Sequence, residues 1–205
     1  VGQIHLSGLR ETIIVSTLYI ISGPNGAGKT TTALTLFPKM GVTEFVNADL
    51  IAYGLSPLNP ANQARAAGQI MLSRMDELAK AKQDFAFETT LASRSLLNFI
   101  QRCQSQGYSV RLIYIWLRSA DLAVERVAKR VASGGHHIPQ ETICRRYERG
   151  RANFFELYQP ISEKWAIFDN SGETSQLIAR GSKYSRDEIL YPIVWNTIKA
   201  GKNYD

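Results

Sequence analysis

The sequence predicts an α/β domain, a parallel sheet flanked by helices, and three observations carry that expectation. Short β-branched and aromatic runs alternate with longer segments of helical spacing. The 205-residue chain has the length of one domain, and no internal repeat or Pro/Gly/Ser linker divides it. Its 44% hydrophobic and 20% charged content supplies a core and a soluble surface. A single domain over 1–205 is therefore expected, with an N-terminal extension over about 1–16.

Composition excludes several classes of protein. Cys103 and Cys144 stand far apart and make neither a zinc set nor a disulfide framework, which suits a reducing cytoplasm. The longest apolar stretch, Thr12–Ser22, is about half a membrane span and has no basic leader, so it reads as strand rather than signal peptide or anchor. No membrane association is expected. The net charge of +6 is concentrated in residues 111–155, where nine Lys/Arg face four Asp/Glu. A basic stretch confined to one segment suits a local anionic ligand, or a solvated helix face, better than a nucleic-acid coat.

The elements follow in order. Thr17–Ser22 is an apolar strand, Lys29–Phe37 a helix and Glu44–Asn47 a short strand. Ala61–Lys82 carries apolar residues at helical spacing, Phe85–Phe87 is a strand, and Ser93–Gln106 is a helix closed by Gly107. Ser109–Leu117 is a β-branched strand, a helix starts at Asp121, and Trp165–Phe168 is the last short strand before a polar turn. Sheets built this way bind ligands beyond the carboxyl ends of their strands.

After the first strand stands Gly23-Pro24-Asn25-Gly26-Ala27-Gly28-Lys29-Thr30, with Thr31 next. This is the G-x-x-x-x-G-K-[ST] phosphate-binding loop in its strand–loop–helix context. Its glycines let the backbone curl so that successive N–H groups face phosphate oxygens, and the following helix adds a positive N-terminus. Lys29 is expected at the β- and γ-phosphates of ATP, with the Thr30 hydroxyl on Mg²⁺. The pattern predicts a P-loop NTPase, a group that includes switches, motors and small-molecule kinases.

Two acids follow the next two strands, Asp49 in Phe45-Val46-Asn47-Ala48-Asp49 and Glu88 in Phe85-Ala86-Phe87-Glu88-Thr89-Thr90. A carboxylate there can accept the proton of an attacking hydroxyl or assist magnesium. On spacing alone, Asp49 also suits a helix cap for Leu50–Tyr53, and Glu88 a cap or a buried salt bridge. No apolar run ends in an Asp that would serve as a Walker B. That work falls to Asp49 or Glu88, or to Thr30 with waters.

Residues 119–151 form a candidate Arg-rich helical lid. Val124, Val127 and Val131 make an apolar face beside Arg126 and Arg130, Gly134-Gly135 ends that helix, and Pro139 suits the first turn of the next. Arg145, Arg146 and Arg149 share one side of the second helix, while Ile143, Tyr147 and Phe154 face the core. Closed over ATP, such guanidiniums would neutralise the transferring phosphoryl group; solvated surface arginines are the plain alternative. His136 and His137 suit a hinge or a substrate contact better than a metal. The turn Phe168-Asp169-Asn170-Ser171-Gly172 is either a border of the adenine site or a surface turn.

Taken together, the Gly-Pro-Asn-Gly-Ala-Gly-Lys-Thr loop, Asn47-Ala48-Asp49, Glu88-Thr89-Thr90 and Ser133-Gly134-Gly135-His136 through Arg145-Arg146-Tyr147 resemble the zeta toxin family of P-loop kinases. The resemblance spans about 18–171 and implies a fold of the nucleotide-kinase type. It implies a Mg-ATP-dependent phosphotransferase acting on a hydroxyl of a small molecule, with UDP-N-acetylglucosamine as the family's acceptor and a small antitoxin as partner. It implies Asp49 as the base, Glu88 and Thr90 as acceptor contacts, and Arg130 with Arg145 or Arg146 as the pair gripping the phosphates. Against that resemblance, the chain is expected to lack the long C-terminal extension of the larger toxins. The rival expectations are a regulatory ATPase switch and a kinase of nucleic-acid ends.

Overall fold

The structure, a computed structural model, describes residues 15–135 and 137–202. The N-terminal extension expected over 1–16 lies almost wholly outside them, and so does His136.

Seven strands form one sheet: β1 (Thr17–Ser22), β2 (Glu44–Val46), β3 (Phe85–Thr89), β4 (Ser109–Trp116), β5 (Lys164–Asp169), β6 (Gln176–Ser182) and β7 (Ser185–Ile189). Their order is β2-β3-β1-β4-β5-β6-β7. The first five pair in parallel, and β6 and β7 join antiparallel. The helices are α1 (Lys29–Lys39), α2 (Ala48–Leu55), α3 (Ala64–Lys80), α4 (Leu97–Ser105), α5 (Ala120–Ala132), α6 (Gln140–Asn153), α7 (Gln159–Ile161) and α8 (Pro192–Ala200). A π-helical turn over Phe154–Tyr158 links α6 to α7.

β1 is buried along its whole length, as a central parallel strand must be when both faces are covered. Alternation divides its side chains between two cores. Leu18 and Ile20 pack with Met75, Leu78, Phe99 and Ile100 on one face. Tyr19 and Ile21 pack with Ala33, Phe37, Val127 and Ile143 on the other.

Several boundaries depart from the sequence expectation. The helix expected from Ala61 begins as a 3-10 turn, Pro60–Gln63, and becomes α-helical only at Ala64. The expected Ser93 helix starts at Leu97. The sheet does not end at Trp165–Phe168: β6, β7 and α8 follow. Trp165 and Trp195 stack with centroids 5.5 Å apart and planes at 18°, which docks α8 on the sheet. Among the described residues no helix is long and apolar enough to cross a membrane.

The two cysteines differ in environment. Cys103 is fully buried in the α3–α4 core, and that burial pushes its thiol up to about 11; Cys144 is half-buried on α6. Iodoacetamide at pH 8 should therefore label Cys144 and spare Cys103 until denaturant is added. Equal labelling of both in the folded protein would contradict this packing.

Candidate active site

The loop between β1 and α1 turns on three glycines with positive φ, Gly23, Gly26 and Gly28, and the first and last of them set its ends. Gly23 has φ +137°, and a Cβ there would lie 2.0 Å from the Ile115 carbonyl oxygen. The loop thus leaves β1 pressed against β4, where no side chain fits. Gly23→Ala should cost about 2–3 kcal/mol of stability from strain and overlap, measurable by urea unfolding. Gly28, at φ +85°, precedes α1, which has no side-chain cap and no acid in its first turn. Such a terminus presents N–H donors and a positive dipole end suited to an anion.

Lys29 is buried beneath this loop. Its Nζ donates to the Pro24 carbonyl at 2.9 Å and sits 3.5 Å from Glu88 Oε1. Burial lowers its pKa below the ordinary lysine value, while the carboxylates of Glu88 and Asp49 pull it back up and Arg130 lowers it further. The ammonium is held close to the charges it must balance.

Strand register assembles the acids. Ile21 of β1 pairs with Glu88 and Ser22 with Thr89, while Val46 of β2 pairs with Phe87. Glu88 is thereby level with the start of the loop, and Asn47 follows β2 beside it. Glu88 Oε2 accepts from Thr30 Oγ1 at 2.7 Å and from Asn47 Nδ2 at 2.6 Å. The salt-bridge reading of Glu88 is thus realised, to Lys29, together with a hold on Thr30.

Asn47, which the sequence reading left without a role of its own, has two. Besides steadying Glu88, its Oδ1 accepts from the backbone N–H groups of Asp49 at 2.7 Å and Leu50 at 3.1 Å, capping α2. The cap reading of Asp49 is therefore corrected: Asn47 caps, and Asp49 occupies the first turn with an exposed side chain. The β-strand-to-helix switch with Asn just before Ala-Asp was the available signal. Asp49, Lys29, Glu88, Thr90, Asn25 and Arg146 meet around a cavity of about 150 Å³. Thr31 is exposed on α1.

This cavity adjoins a larger cleft of about 760 Å³ between α2, the Pro60–Gln63 turn and the α5–α6 connection, with Arg130, His137 and Arg146 on its lid side. Arg130 lies on the same stripe of α5 as buried Ala123 and Val127, one turn on, where the core gives way to the cleft. On α6 the structure separates the adjacent arginines. Arg146 is half-buried and donates to Asn25 Oδ1 at 3.4 Å, whereas Arg145 is exposed and reaches only Thr142 Oγ1 at 3.5 Å. Arg149 is also exposed. At about 100° per residue, Arg146 falls roughly 70° from the stripe of Ile143, Tyr147 and Gly150, and Arg145 roughly opposite it. That periodicity was legible in the sequence.

The expected lid corresponds to α5 and α6, but its inner half belongs to the core. Tyr147 donates its hydroxyl to the Leu117 carbonyl at 2.6 Å, Asn153 donates to the Leu91 carbonyl at 2.7 Å, and a Cβ on Gly150 would lie 2.2 Å from the Thr90 carbonyl oxygen. The 169–172 turn is not a free surface turn. Asn170 Nδ2 donates to the Ala27 carbonyl at 2.9 Å, and Ser171 accepts from the Arg118 backbone at 2.8 Å and from Arg126 at 3.1 Å. It braces the phosphate-binding loop. A separate groove of about 450 Å³ lies on the sheet between Arg111, Lys164 and Arg180, lined from the early parts of β4 and β5. It contains none of the loop residues.

Magnesium fits this donor set modestly. Thr30 and Glu88 lie in contact at the loop's end, with Asp49 nearby. Among the described residues no group of three or more His, Cys, Asp or Glu could hold a metal alone. Mg²⁺ commonly takes one or two protein oxygens together with waters and phosphates.

A mostly parallel sheet of this order, with a glycine-rich loop feeding α1 and acids at neighbouring strand ends, has the architecture of the P-loop kinases. The chain belongs to the zeta toxin family, whose family model matches residues 57–180. That span begins after the phosphate-binding loop and covers Glu88, Thr90 and the arginines of α5 and α6. An uncharacterized protein of Haemophilus influenzae is 30% identical over 125 residues, covering 61% of this chain and 88% of its own length. Among solved structures, a chain of the AvrRxo1-ORF1:AvrRxo1-ORF2 crystal structures, one with sulphate ions and one with ATP, superposes with a TM-score of 0.71 at 14% identity. The likeness covers 90% of this chain, which spans 63% of that one. A chain from the PezAT chromosomal toxin–antitoxin system of Streptococcus pneumoniae gives 0.66 at 15% identity, covering 98% and 84%. At these identities the structural likeness speaks for the fold.

Proposed function

We propose that the protein is a Mg-ATP-dependent phosphotransferase that moves the γ-phosphoryl group of ATP to a hydroxyl of a small molecule. The observation that carries this reading is the meeting of Lys29, Glu88 and Asp49 in one cavity that opens into the cleft bearing Arg130 and Arg146. A loop that only bound nucleotide would need no second cleft with a carboxylate at its inner end.

The residues divide the work. The loop from Gly23 to Thr30 cradles the phosphates, with Lys29 at the β- and γ-oxygens. Thr30, with Glu88 in support, would hold Mg²⁺, whose charge would offset that of the phosphates. Asp49 orients the acceptor hydroxyl and takes its proton as the new oxygen–phosphorus bond forms. The bond between the γ-phosphorus and the β,γ-bridging oxygen breaks, and its electron pair leaves with ADP. Arg130 and Arg146 face the charge that spreads over the equatorial oxygens. Glu88 and Thr90 border the acceptor, and the Asn170 turn supports the loop from the nucleoside side. UDP-N-acetylglucosamine is the acceptor that the family resemblance implies, and a small antitoxin the partner.

Incubation with γ-labelled ATP and Mg²⁺ in the presence of a small-molecule extract tests the reading. Label should move to a small molecule; label found only in inorganic phosphate would make the protein a regulatory ATPase, and label on nucleic-acid ends would support that rival. Lys29→Ala should weaken ATP binding by roughly 10- to 100-fold, the worth of one charge-assisted contact, as read by calorimetry. Undiminished binding and turnover would sink the nucleotide assignment.

A further inference from the structure

Away from the transfer site, the groove of about 450 Å³ on the sheet gathers four cationic side chains, Arg111, Lys164, Arg180 and Arg186, around one acid, Glu188. Strand register brings most of them together. Tyr19, Arg111, Lys164, Ser182 and Ser185 are successive lateral partners from β1 across to β7, so they form one row on one face. Ile113, Ala166, Arg180 and Glu188 form the row beside it. Lys164, Arg180 and Glu188 are exposed and Arg111 is half-buried, so a ligand can reach this face.

The two rows differ in how their charge is balanced. Arg180 Nε donates to Glu188 Oε2 at 2.6 Å, which neutralises the second row. In the first, Arg111 and Lys164 stand opposite each other on adjacent strands, a like-charge pair that repels. Among the described residues neither takes part in an ion pair. Arg111 is nonetheless held in place, with its guanidinium over the Tyr19 ring at 5.6 Å from the centroid. Its Nε is buried without a hydrogen-bond partner among the described residues. Farther along the row, the Ser182 and Ser185 hydroxyls share one hydrogen bond of 2.9 Å, which leaves the pair one O–H to donate. An oxyanion over this row would relieve the repulsion and draw on all of these donors.

The donor set selects the anion. A phosphomonoester brings about two negative charges and three terminal oxygens at neutral pH, a carboxylate one charge and two oxygens. Two cations and a hydroxyl pair along one row match the phosphomonoester. The groove is of small-molecule size and holds more than a bare phosphate, and Met40, Leu112, Ile113 and Ala166 supply apolar lining for the remainder.

We propose that this groove is a second ligand site that takes a small phosphomonoester, with its phosphoryl group on Arg111 and Lys164 and an apolar body against Met40, Ile113 and Ala166. The site stands independently of the phosphotransferase reading, and no group is transferred in it. Tyr19 lies in the first half of β1, whereas the phosphate-binding loop leaves the far end of that strand, so both sites can be filled at once.

Phenyl phosphate is the probe. It is titrated by calorimetry into the full chain, with the phosphate-binding loop already filled by a non-hydrolysable ATP analogue and Mg²⁺. It should bind one-to-one and roughly tenfold more tightly than inorganic phosphate, benzoate or phenol. Lys164→Ala and Arg111→Gln should each weaken it by roughly tenfold, the worth of one charge-assisted contact. Lys164 is exposed, so its variant keeps the fold whatever Arg111→Gln does to packing. Binding abolished by the ATP analogue would assign the anion to the loop and overturn the proposal. Inorganic phosphate bound as tightly as phenyl phosphate would mean an adventitious ion only, and benzoate bound as tightly would make this a carboxylate site; either overturns it. A short polyglutamate peptide bound more tightly than phenyl phosphate would make the groove a docking face for an acidic protein segment and overturns it too. So does an absence of binding, or binding that survives both substitutions.

Discussion

Asp49→Asn should lower phosphoryl transfer by about 10²-fold or more while ATP affinity and the folded structure stay nearly intact. The expectation follows from how α2 begins. Asn47 supplies the side-chain cap, so the Asp49 carboxylate is not needed to satisfy the first N–H groups of the helix. The amide keeps the side chain's shape and polarity and loses only a favourable charge near a helix N-terminus, worth about 0.3–1 kcal/mol. What it cannot keep is the ability to accept the acceptor's proton. Steady-state kinetics with separate ATP calorimetry resolve the two contributions. A variant transferring at the parental rate would reduce Asp49 to a partner of the helix dipole. Loss of ATP binding would instead place its role at the nucleotide, through the field it exerts on Lys29.

The phosphate-binding half of this site was legible in the sequence because its chemistry is local. Eight consecutive residues from the end of a buried strand into a helix specify glycine conformations, a lysine and a hydroxyl, and the structure places the glycines in the loop and Lys29 and Thr30 in the first turn of α1. The acids were legible from their place at the carboxyl ends of strands, which parallel pairing in register brings level, although β3 runs on through Glu88 to Thr89 rather than ending at Phe87. What they touch was not legible. Asn47 holding Glu88 depends on β2 and β3 being neighbours, a fact of strand order rather than of any short window. The β6–β7 hairpin escaped for a different reason. Its turn is Lys183-Tyr184, without the Asn-Gly or Asp-Gly pair that marks two-residue hairpins, and all five residues of β7 are exposed, so no apolar alternation announces the strand. Docking of α8 rests on partners distant in the chain: Trp195 stacks on Trp165 and packs edge-on against Phe155, and Arg151 donates to the Ile198 carbonyl.

The arginines of the helix pair should separate by position. Arg146→Ala and Arg130→Ala are each expected to lower kcat by about 10²–10³-fold, the range for removing one preorganised donor from a transition-state charge. ATP binding should weaken far less, because the loop's backbone and Lys29 remain. Arg145→Ala should stay within a few-fold of the parental kcat, since that side chain is exposed and reaches only Thr142 on its own helix. Anchorage sets how these groups can act. Tyr147, Gly150 and Asn153 tie the inner half of α6 to Leu117, Thr90 and Leu91, which leaves the outer turns around Gly134 and Gly135 as the part expected to close. Arg130 sits at the edge of that outer tip, whereas Arg146 stands one residue before the Tyr147 anchor. Hydrogen exchange should therefore slow on adding ATP and acceptor across 128–142, with 147–153 protected throughout. Equal kinetic losses for Arg145 and Arg146 would mean that α6 rolls on closing and that the contact to Asn25 belongs to the open form alone. Unchanged kcat for all three would leave these arginines as solvated surface and the transition-state charge to Lys29 and magnesium.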